Sequence, residues 1–476
     1  MAKSIDISRL HAIIRENIED ITKLHAQVDT LQSENKELRA LVEELKAQQK
    51  STSRNSNKPP SSDGYRKKAK LPKRKGKKPR GGQKGHKGGT LEKSTEVDHH
   101  IDLRPEQCSC GHNLSQLEHE VLHSRQVFDL PEPKLEVTQY QLYGCQCPGC
   151  GQVCTGEFPE GVSAPVQYGN GVKAMAALLS NGYNLSYEKI GQLFEDLYGY
   201  CPNGNTLFQA NQATYHALEQ SEEVIRERLI RAMVAHADET GLRIAGKLQW
   251  LHSVCTDKLT YLFVHPKRGK EALNSQQSLL PKLNGWLVHD CWASYFTFTQ
   301  PNHALCGAHI LRELQALIDR GSNWAIQMQK LFWDLYKRTD QGSQKIPQTR
   351  TFEKRLERIL YQAELEEPAP IPKKRGRPKR TKGRNLFERL KKYKDAAFAF
   401  AFHQEVPFTN NQAERDIRPV KLKQKMAGSF RTFQGATNYA RIQGFISTAR
   451  KNQRNTFKEL KNALEGYTFL TLVVTT

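Results

Sequence analysis

No apolar stretch in these 476 residues approaches the ~20 needed to span a bilayer. The N-terminus lacks the apolar core of a secretory signal. These absences argue against a membrane or exported protein, and the expectation is a cytoplasmic one. Acidic residues are also scarce: 50 Asp and Glu face 72 Lys and Arg, giving a net charge of +22 and a pI near 9.5. No acid at all occurs in residues 66–87. Such an excess favours polyanions, and nucleic acid is the obvious one. Cysteine, by contrast, is present ten times, and six of the ten lie between Cys108 and Cys154. Without an export signal, that clustering reads as metal binding before disulfides.

Residues 1–48 carry a heptad pattern. Ile7, Ile14, Ile21, Val28, Asn35 and Val42 form the a series, and Leu10, Asn17, Leu24, Leu31, Leu38 and Leu45 the d series. β-Branched residues at a with Leu at d favour a parallel two-stranded coiled coil, with Asn35 setting register. A homodimer or higher oligomer is therefore expected. Residues 49–92 are a basic, flexible linker rich first in Ser, Asn and Pro and then in Lys and Arg. Such a segment cannot build a core and binds phosphates without regard to sequence. Lys73, Arg74 and Lys75 are its candidate DNA contacts.

Residues 93–160 read as a zinc-binding ribbon. Cys147-Pro-Gly-Cys150 is a knuckle in which Gly149 lets amides turn toward the thiolates, and Cys108-Ser-Cys110 is a tighter pair upstream. A tetrahedral zinc site takes about four N or S ligands. Cys108, Cys110, Cys147 and Cys150 are the candidates, with Cys145, Cys154 and His112 as substitutes. Alternation at Leu135, Val137, Tyr140 and Leu142 predicts paired strands within 121–143. Residues 161–228 look helical, at 172–179, at 187–197 and from Asn205 onward. They suit either a helix-turn-helix-like DNA-binding region or a scaffold for the next domain.

From residue 229 the pattern changes to short β-like runs at 233–237, 248–255, 259–265 and 286–289. Three antiparallel strands, a helix and a further strand is the order of the ribonuclease-H-like fold, expected here over 229–446. Asp238 closes the first run and Asp290 follows the fourth. Glu414, in Thr-Asn-Asn-Gln-Ala-Glu-Arg, opens a helix that continues with Arg415, Arg418 and Lys421, and 414, 418 and 421 share a face. The long gap before Glu414 is helical in pattern at 304–318, 324–336, 352–365 and 386–402, and reads as an α-helical insertion over about 304–405. Residues 447–476 read as a C-terminal tail. The whole is an α+β multidomain chain.

Two Mg²⁺ ions about 3.5–4 Å apart can clamp the attacking and leaving oxygens of a phosphoryl displacement. Mg²⁺ takes hard oxygen ligands and keeps several waters, so two or three carboxylates suffice. Asp238, Asp290 and Glu414 are the candidate catalytic and magnesium-binding residues, and Arg415, Arg418 and Lys421 the candidate phosphate contacts. Strand alternation predicts that Glu239 points away from Asp238, and helical spacing that Asp416 faces away from Glu414. Within the insertion, Arg375-Gly-Arg377-Pro could lie in a narrow A·T-rich minor groove, or serve as a basic linker.

His236-Ala-Asp238-Glu-Thr, Val288-His-Asp290 and Thr409-Asn-Asn-Gln-Ala-Glu414-Arg-Asp-Ile-Arg-Pro419 resemble the catalytic motifs of DDE transposases of bacterial insertion sequences, in particular the family numbered sixty-six. Ser53-Arg-Asn-Ser-Asn-Lys-Pro-Pro-Ser-Ser-Asp63 and Arg80-Gly-Gly-Gln-Lys-Gly-His-Lys-Gly88 carry the resemblance upstream, so that it covers nearly the whole chain. It implies Mg²⁺ ligation by Asp238, Asp290 and Glu414, cleavage at the element's ends to expose 3′-hydroxyls, and their attack on target DNA. It also implies a nucleoid-associated protein, with accessory proteins of the same element as candidate partners. The Cys108-x-Cys110 pair departs from the C-x-x-C usual at that place. Cys306-Gly-Ala-His309 resembles a further family feature; two residues make an incomplete zinc site, and a packed helix face is the simpler reading. Two rivals to the transposase are a metal-dependent nuclease without strand transfer and a catalytically silent DNA-binding regulator. The intact set of acids disfavours the regulator.

Overall fold

The computed structural model describes residues 7–49, 91–339, 344–370 and 380–471. Lys73, Arg74, Lys75, Arg375 and Arg377 lie outside the described residues, as does nearly all of the basic linker. Helix α1 (Ile7–Gln49) runs unbroken for 43 residues. Its Ile14, Ile21, Leu24, Val28, Leu31, Leu38 and Val42 are 46–58% exposed, an apolar series left uncovered in the single chain.

The chain divides into two compact units, one made of residues 66–165 and 191–201 and the other of the remainder. The smaller unit contains a hairpin of β1 (Gly144–Gln146) and β2 (Val153–Thr155), with Cys145 opposite Cys154. The Cys147 amide donates to Gln152 O at 2.8 Å, and Gly151 closes the turn with φ +74°, a conformation that favours glycine. Cys108 sits in a matching turn, its amide on His112 O at 2.9 Å and Gly111 at φ +91°. The strands expected within 121–143 do not form. Val121, Val127, Leu130 and Val137 are 85–90% exposed, so their alternation has no surface to bury against, and Pro131 and Pro133 remove ladder donors.

The larger unit is a mixed α/β structure. Helix α2 (Asn170–Ala177) runs on through a π-turn at Leu178–Gly182, followed by α3 (Tyr187–Tyr198), whose residues from Gly191 belong to the smaller unit. Next come α4 (Gly204–Ala217) and α5 (Glu219–Ile230). Asn203 caps α4 by accepting from the Thr206 amide, which starts this helix before Asn205. Ala174, Leu178, Leu218, Ile225 and Leu229 share one buried cluster with Ala235, Ala237 and Val254 of the sheet. Helices α2 and α5 therefore pack on the sheet.

Strands β3 (Val234–Ile244), β4 (Lys247–Cys255) and β5 (Thr260–His265) form an antiparallel meander, and the short α6 (Lys270–Leu273) precedes β6 (Trp286–His289) and β7 (Asn302–Leu305). The sheet order is β5-β4-β3-β6-β7, with β6 parallel to β3 and β7 parallel to β6. Two departures from expectation follow from turns. The β3–β4 hairpin turns tightly on Ala245-Gly246, both at positive φ, so β3 continues to Ile244 and Asp238 lies mid-strand, not at a strand end. Ala304 belongs to β7 and not to the helix that follows, because Cys306 breaks the chain direction before α7 (Gly307–Ile318).

Helices α7, α8 (Asn323–Arg338), α9 (Arg350–Glu366), α10 (Lys382–Lys392) and α11 (Lys394–Phe402) bury Trp324, Met328, Phe332, Ile359, Phe387, Phe398 and Phe400 in a core of their own, continuous with Val288 and Ala304. The chain then returns to the sheet through α12 (Asn411–Ala427), α13 (Phe433–Lys451) and α14 (Thr456–Leu464). Ile442, Phe445, Ile446, Leu460 and Ala463 are buried with the strand residues. The division expected at 446 thus falls inside α13, and the segment to Thr471 is part of the sheet's helical cover. No helix among the described residues is long and apolar enough to cross a membrane.

Candidate active site and metal-binding residues

The parallel pair β3–β6 sets the site. Its register aligns Val234 with Trp286 and His236 with Val288. Asp238 on β3 and Asp290, the residue after β6, each stand two residues past the His236–Val288 pair, so this register brings the two to the same end of the sheet. The strands approach this closely because Gly285 has no side chain: a Cβ there would sit 2.4 Å from the carbonyl oxygens of Ala232 and Met233.

Burial holds the Asp238 carboxyl well above the usual carboxylate range, and Glu239, Asp290 and Glu414 push it further in the same direction. Its Oδ1 accepts from the Glu239 amide at 2.9 Å. Burial also raises Asp290, against the Trp292 amide that donates to its Oδ1 at 2.9 Å. Glu239 is raised by burial and by Asp290. Its side chain, only 2% exposed, accepts from Arg268 at 2.6 and 2.8 Å and from the Tyr295 hydroxyl. Glu239 alternates with Asp238 and falls on the strand face of Ala235 and Ala237, where Arg268 and Tyr295 hold its carboxylate. Arg268 is itself sandwiched, 5.0 Å from the Trp250 ring centroid and 4.4 Å from that of Trp292. Three buried acids share one close guanidinium, their raised pKa values show that ionisation lacks compensation there, and all the donors are hard oxygens. Asp238 and Asp290 thus fit Mg²⁺.

Asn410 wires the distant Asn-Asn motif to this sheet. Its Oδ1 accepts from His236 Nδ1 at 3.0 Å, its Nδ2 donates to Ala237 O at 2.8 Å, and its amide donates to Cys306 Sγ at 3.2 Å. The Glu414 amide in turn donates to Asn410 O at 3.3 Å, which brings the first turn of α12 beside β3. Glu414 does not close into one tight group with the aspartates. Its Oε1 lies 3.7 Å from Arg312 Nη2 and 3.9 Å from His309 Nδ1, and its Oε2 lies 3.5 Å from Arg418 Nη2. The ligating atoms of Cys306, His309 and Glu414 all fall within 4.8 Å of one another.

The neighbouring cations divide. Arg418 is exposed, Arg415 is exposed and donates to Gln412 Oε1 at 2.7 Å, and Lys421 donates to Gly241 O on β3. Asp416 faces away from Glu414, accepting from Lys451 at 2.6 Å and from Thr260 and Ser447 at 3.1 and 3.2 Å. In the smaller unit, the Cys110 amide lowers the Cys108 thiol and the Gly149 and Cys150 amides lower the Cys147 thiol. Among the described residues, however, no third ligating side chain joins either pair.

The description of the Transposase IS66 family matches residues 165–438, a span that contains both aspartates, Asn410 and Glu414. The chain belongs to the IS66 transposase family. Residues 10–92 match a family of unknown function (DUF6444). No match was found among curated proteins. The transposase is thus a DNA-processing enzyme by family, and its sheet brings together residues that no single motif announced. Glu239 could have been suspected from its position beside Asp238. Arg268, Tyr295 and Arg312 have no local sequence signal, because each reaches the site only through tertiary packing.

Proposed function

We propose that this transposase cuts DNA at the ends of its element and joins the exposed 3′-hydroxyls to target DNA, with Asp238, Asp290 and Glu414 as the catalytic carboxylates of a ribonuclease-H-like domain. The observation that carries the reading is the placement of Asp238 on β3 and Asp290 just after β6, each two residues past the His236–Val288 pair, both raised by burial and Asp238 also by its acidic neighbours. The sheet order, with three antiparallel strands followed by two parallel ones, supports it.

Asp238 and Asp290 would hold Mg²⁺, with Glu414 brought in from α12; the ion, when bound, supplies Lewis-acid activation and neutralises charge on the phosphoryl oxygens. The chain's own residues do the rest. Asn410 fixes the entry of α12 against β3, Arg268 and Tyr295 keep the Glu239 charge in place, and Arg415 and Arg418 offer exposed guanidinium groups to phosphate oxygens. Hydrolysis leaves a 3′-hydroxyl, whose attack on a target phosphodiester exchanges one such bond for another. The same reading makes α1 a coiled coil that pairs subunits, the basic linker a salt-sensitive DNA arm, and the Arg375–Arg377 segment a minor-groove contact.

Labelled end DNA with Mg²⁺ tests it. The wild type gives cleaved ends and joined products, while Asp238→Asn, Asp290→Asn and Glu414→Gln still bind DNA but give neither. An Asp290→Asn protein that joins at the wild-type rate overturns the site assignment. A wild type that cuts and never joins is a nuclease.

A further inference from the structure

We infer that Cys306, His309 and Glu414 form a binding site for one thiophilic divalent cation of the zinc class, separate from the magnesium positions at the aspartates. The inference uses Glu414 but does not depend on the transposition chemistry.

Cys306 follows β7 directly and caps α7, and His309 lies in the first turn of the same helix, so the two fall on one side. Glu414 reaches them from the first turn of α12. Sγ, an imidazole nitrogen and a carboxylate oxygen thereby meet within 4.8 Å. Two of these atoms are buried without a hydrogen-bond partner: His309 Nδ1 and Glu414 Oε1, which face each other at 3.9 Å. A buried ring nitrogen and a carboxylate oxygen at that separation are too far apart to bond each other and too enclosed to bond water. A cation between them satisfies both. Arg312, at 3.7 Å from Oε1, is partly exposed and can withdraw to solvent when the ion enters.

The donor set selects the ion. Thiolate, imidazole and carboxylate together suit Zn²⁺, which accepts three protein ligands and an open position, whereas Mg²⁺ demands oxygen. The Asn410 amide, donating to Cys306 Sγ at 3.2 Å, is the outer hydrogen bond that such a sulfur ligand takes. The bound ion would cross-link α7 to α12 and fix Glu414 through Oε1, leaving Oε2 beside Arg418.

Co²⁺ titration of the full-length protein tests the site, in a background where Cys108, Cys110, Cys147 and Cys150 are changed to Ser to silence the other thiol pairs. One Co²⁺ per chain with a thiolate-to-cobalt absorption band is expected, displaced by Zn²⁺ and untouched by excess Mg²⁺. Cys306→Ser removes the band. His309→Gln and Glu414→Gln weaken binding about tenfold or more, while Asp290→Asn leaves it unchanged. Absence of a band, or a band that survives Cys306→Ser at the same stoichiometry, overturns the inference. His309→Gln, which keeps the shape of the side chain, decides the matter should Cys306→Ser not fold. A cobalt site with this pattern in a protein that never cuts DNA defeats the functional reading and leaves the site standing; the opposite result separates them the other way.

Discussion

At the residue scale, the site is held together against its own charge. Asp238 is raised by burial and by three other carboxylates, so without a metal its ionisation costs the folded state stability. A carboxyl whose pKa is higher in the folded state loses stability as pH rises above its ordinary range. Asp238→Asn should therefore raise the melting temperature of metal-free protein, by about 2–4 °C for each kcal/mol relieved. It should also remove most of the stabilisation that Mg²⁺ gives the wild type. Thermal melts with and without Mg²⁺ check both. His252 acts in the opposite sense. Burial lowers it from 6.5 to about 4, so the unfolded chain takes up a proton that the folded chain refuses between those values. Stability should fall as pH drops through that window, and His252→Gln, measured by urea unfolding at pH 7 and pH 5, should flatten the fall. The two aspartates were singled out because each closes an apolar run, and Glu414 because it opens a cationic helix. Glu239 follows the alternation, but its partners Arg268 and Tyr295 lie far along the chain and gave no local signal. Cys306 and His309 were visible as a pair, but their third member lies far along the chain.

At the element scale, the parallel contact of β3 with β6 matters most. Gly285→Ala would drive a methyl group into two backbone carbonyls, which cannot yield as a side chain can. The expected cost is about 1–3 kcal/mol or more, with catalysis falling further than DNA binding as Asp290 shifts away from Asp238. Denaturant unfolding and a gel-shift assay on the same variant check this. Strands β3 to β6 were readable because apolar runs bounded by turn residues have few alternative structures. Strand β7 was not, since Asn302–Leu305 is four residues long and runs almost directly into α7. The alternating residues within 121–143 misled in the reverse direction: periodicity indicates a strand only where one face has something to pack on. The C-terminal segment looked like a tail because α13 mixes polar, small and apolar residues without a clear amphipathic stripe, yet it buries even Asn438, Gln443 and Thr448.

At the scale of the whole molecule, the chain is a mixed α/β unit carrying the acids, a smaller cysteine-bearing unit and a long N-terminal helix. The exposed apolar series of α1 should pair with a second copy. Sedimentation equilibrium should give a dimer or higher oligomer for the full chain, and Leu24→Lys with Leu31→Lys should shift it toward monomer without unfolding the sheet. The central claim concerns joining, and the most direct test bypasses cutting. A pre-cleaved element end with a free 3′-hydroxyl, incubated with supercoiled plasmid and Mg²⁺, should yield plasmid covalently joined to the labelled strand. Asp238→Asn and Asp290→Asn should give none. Wild-type protein that binds this end and never joins it, or an Asp290→Asn protein that joins it as fast as wild type, would contradict the account.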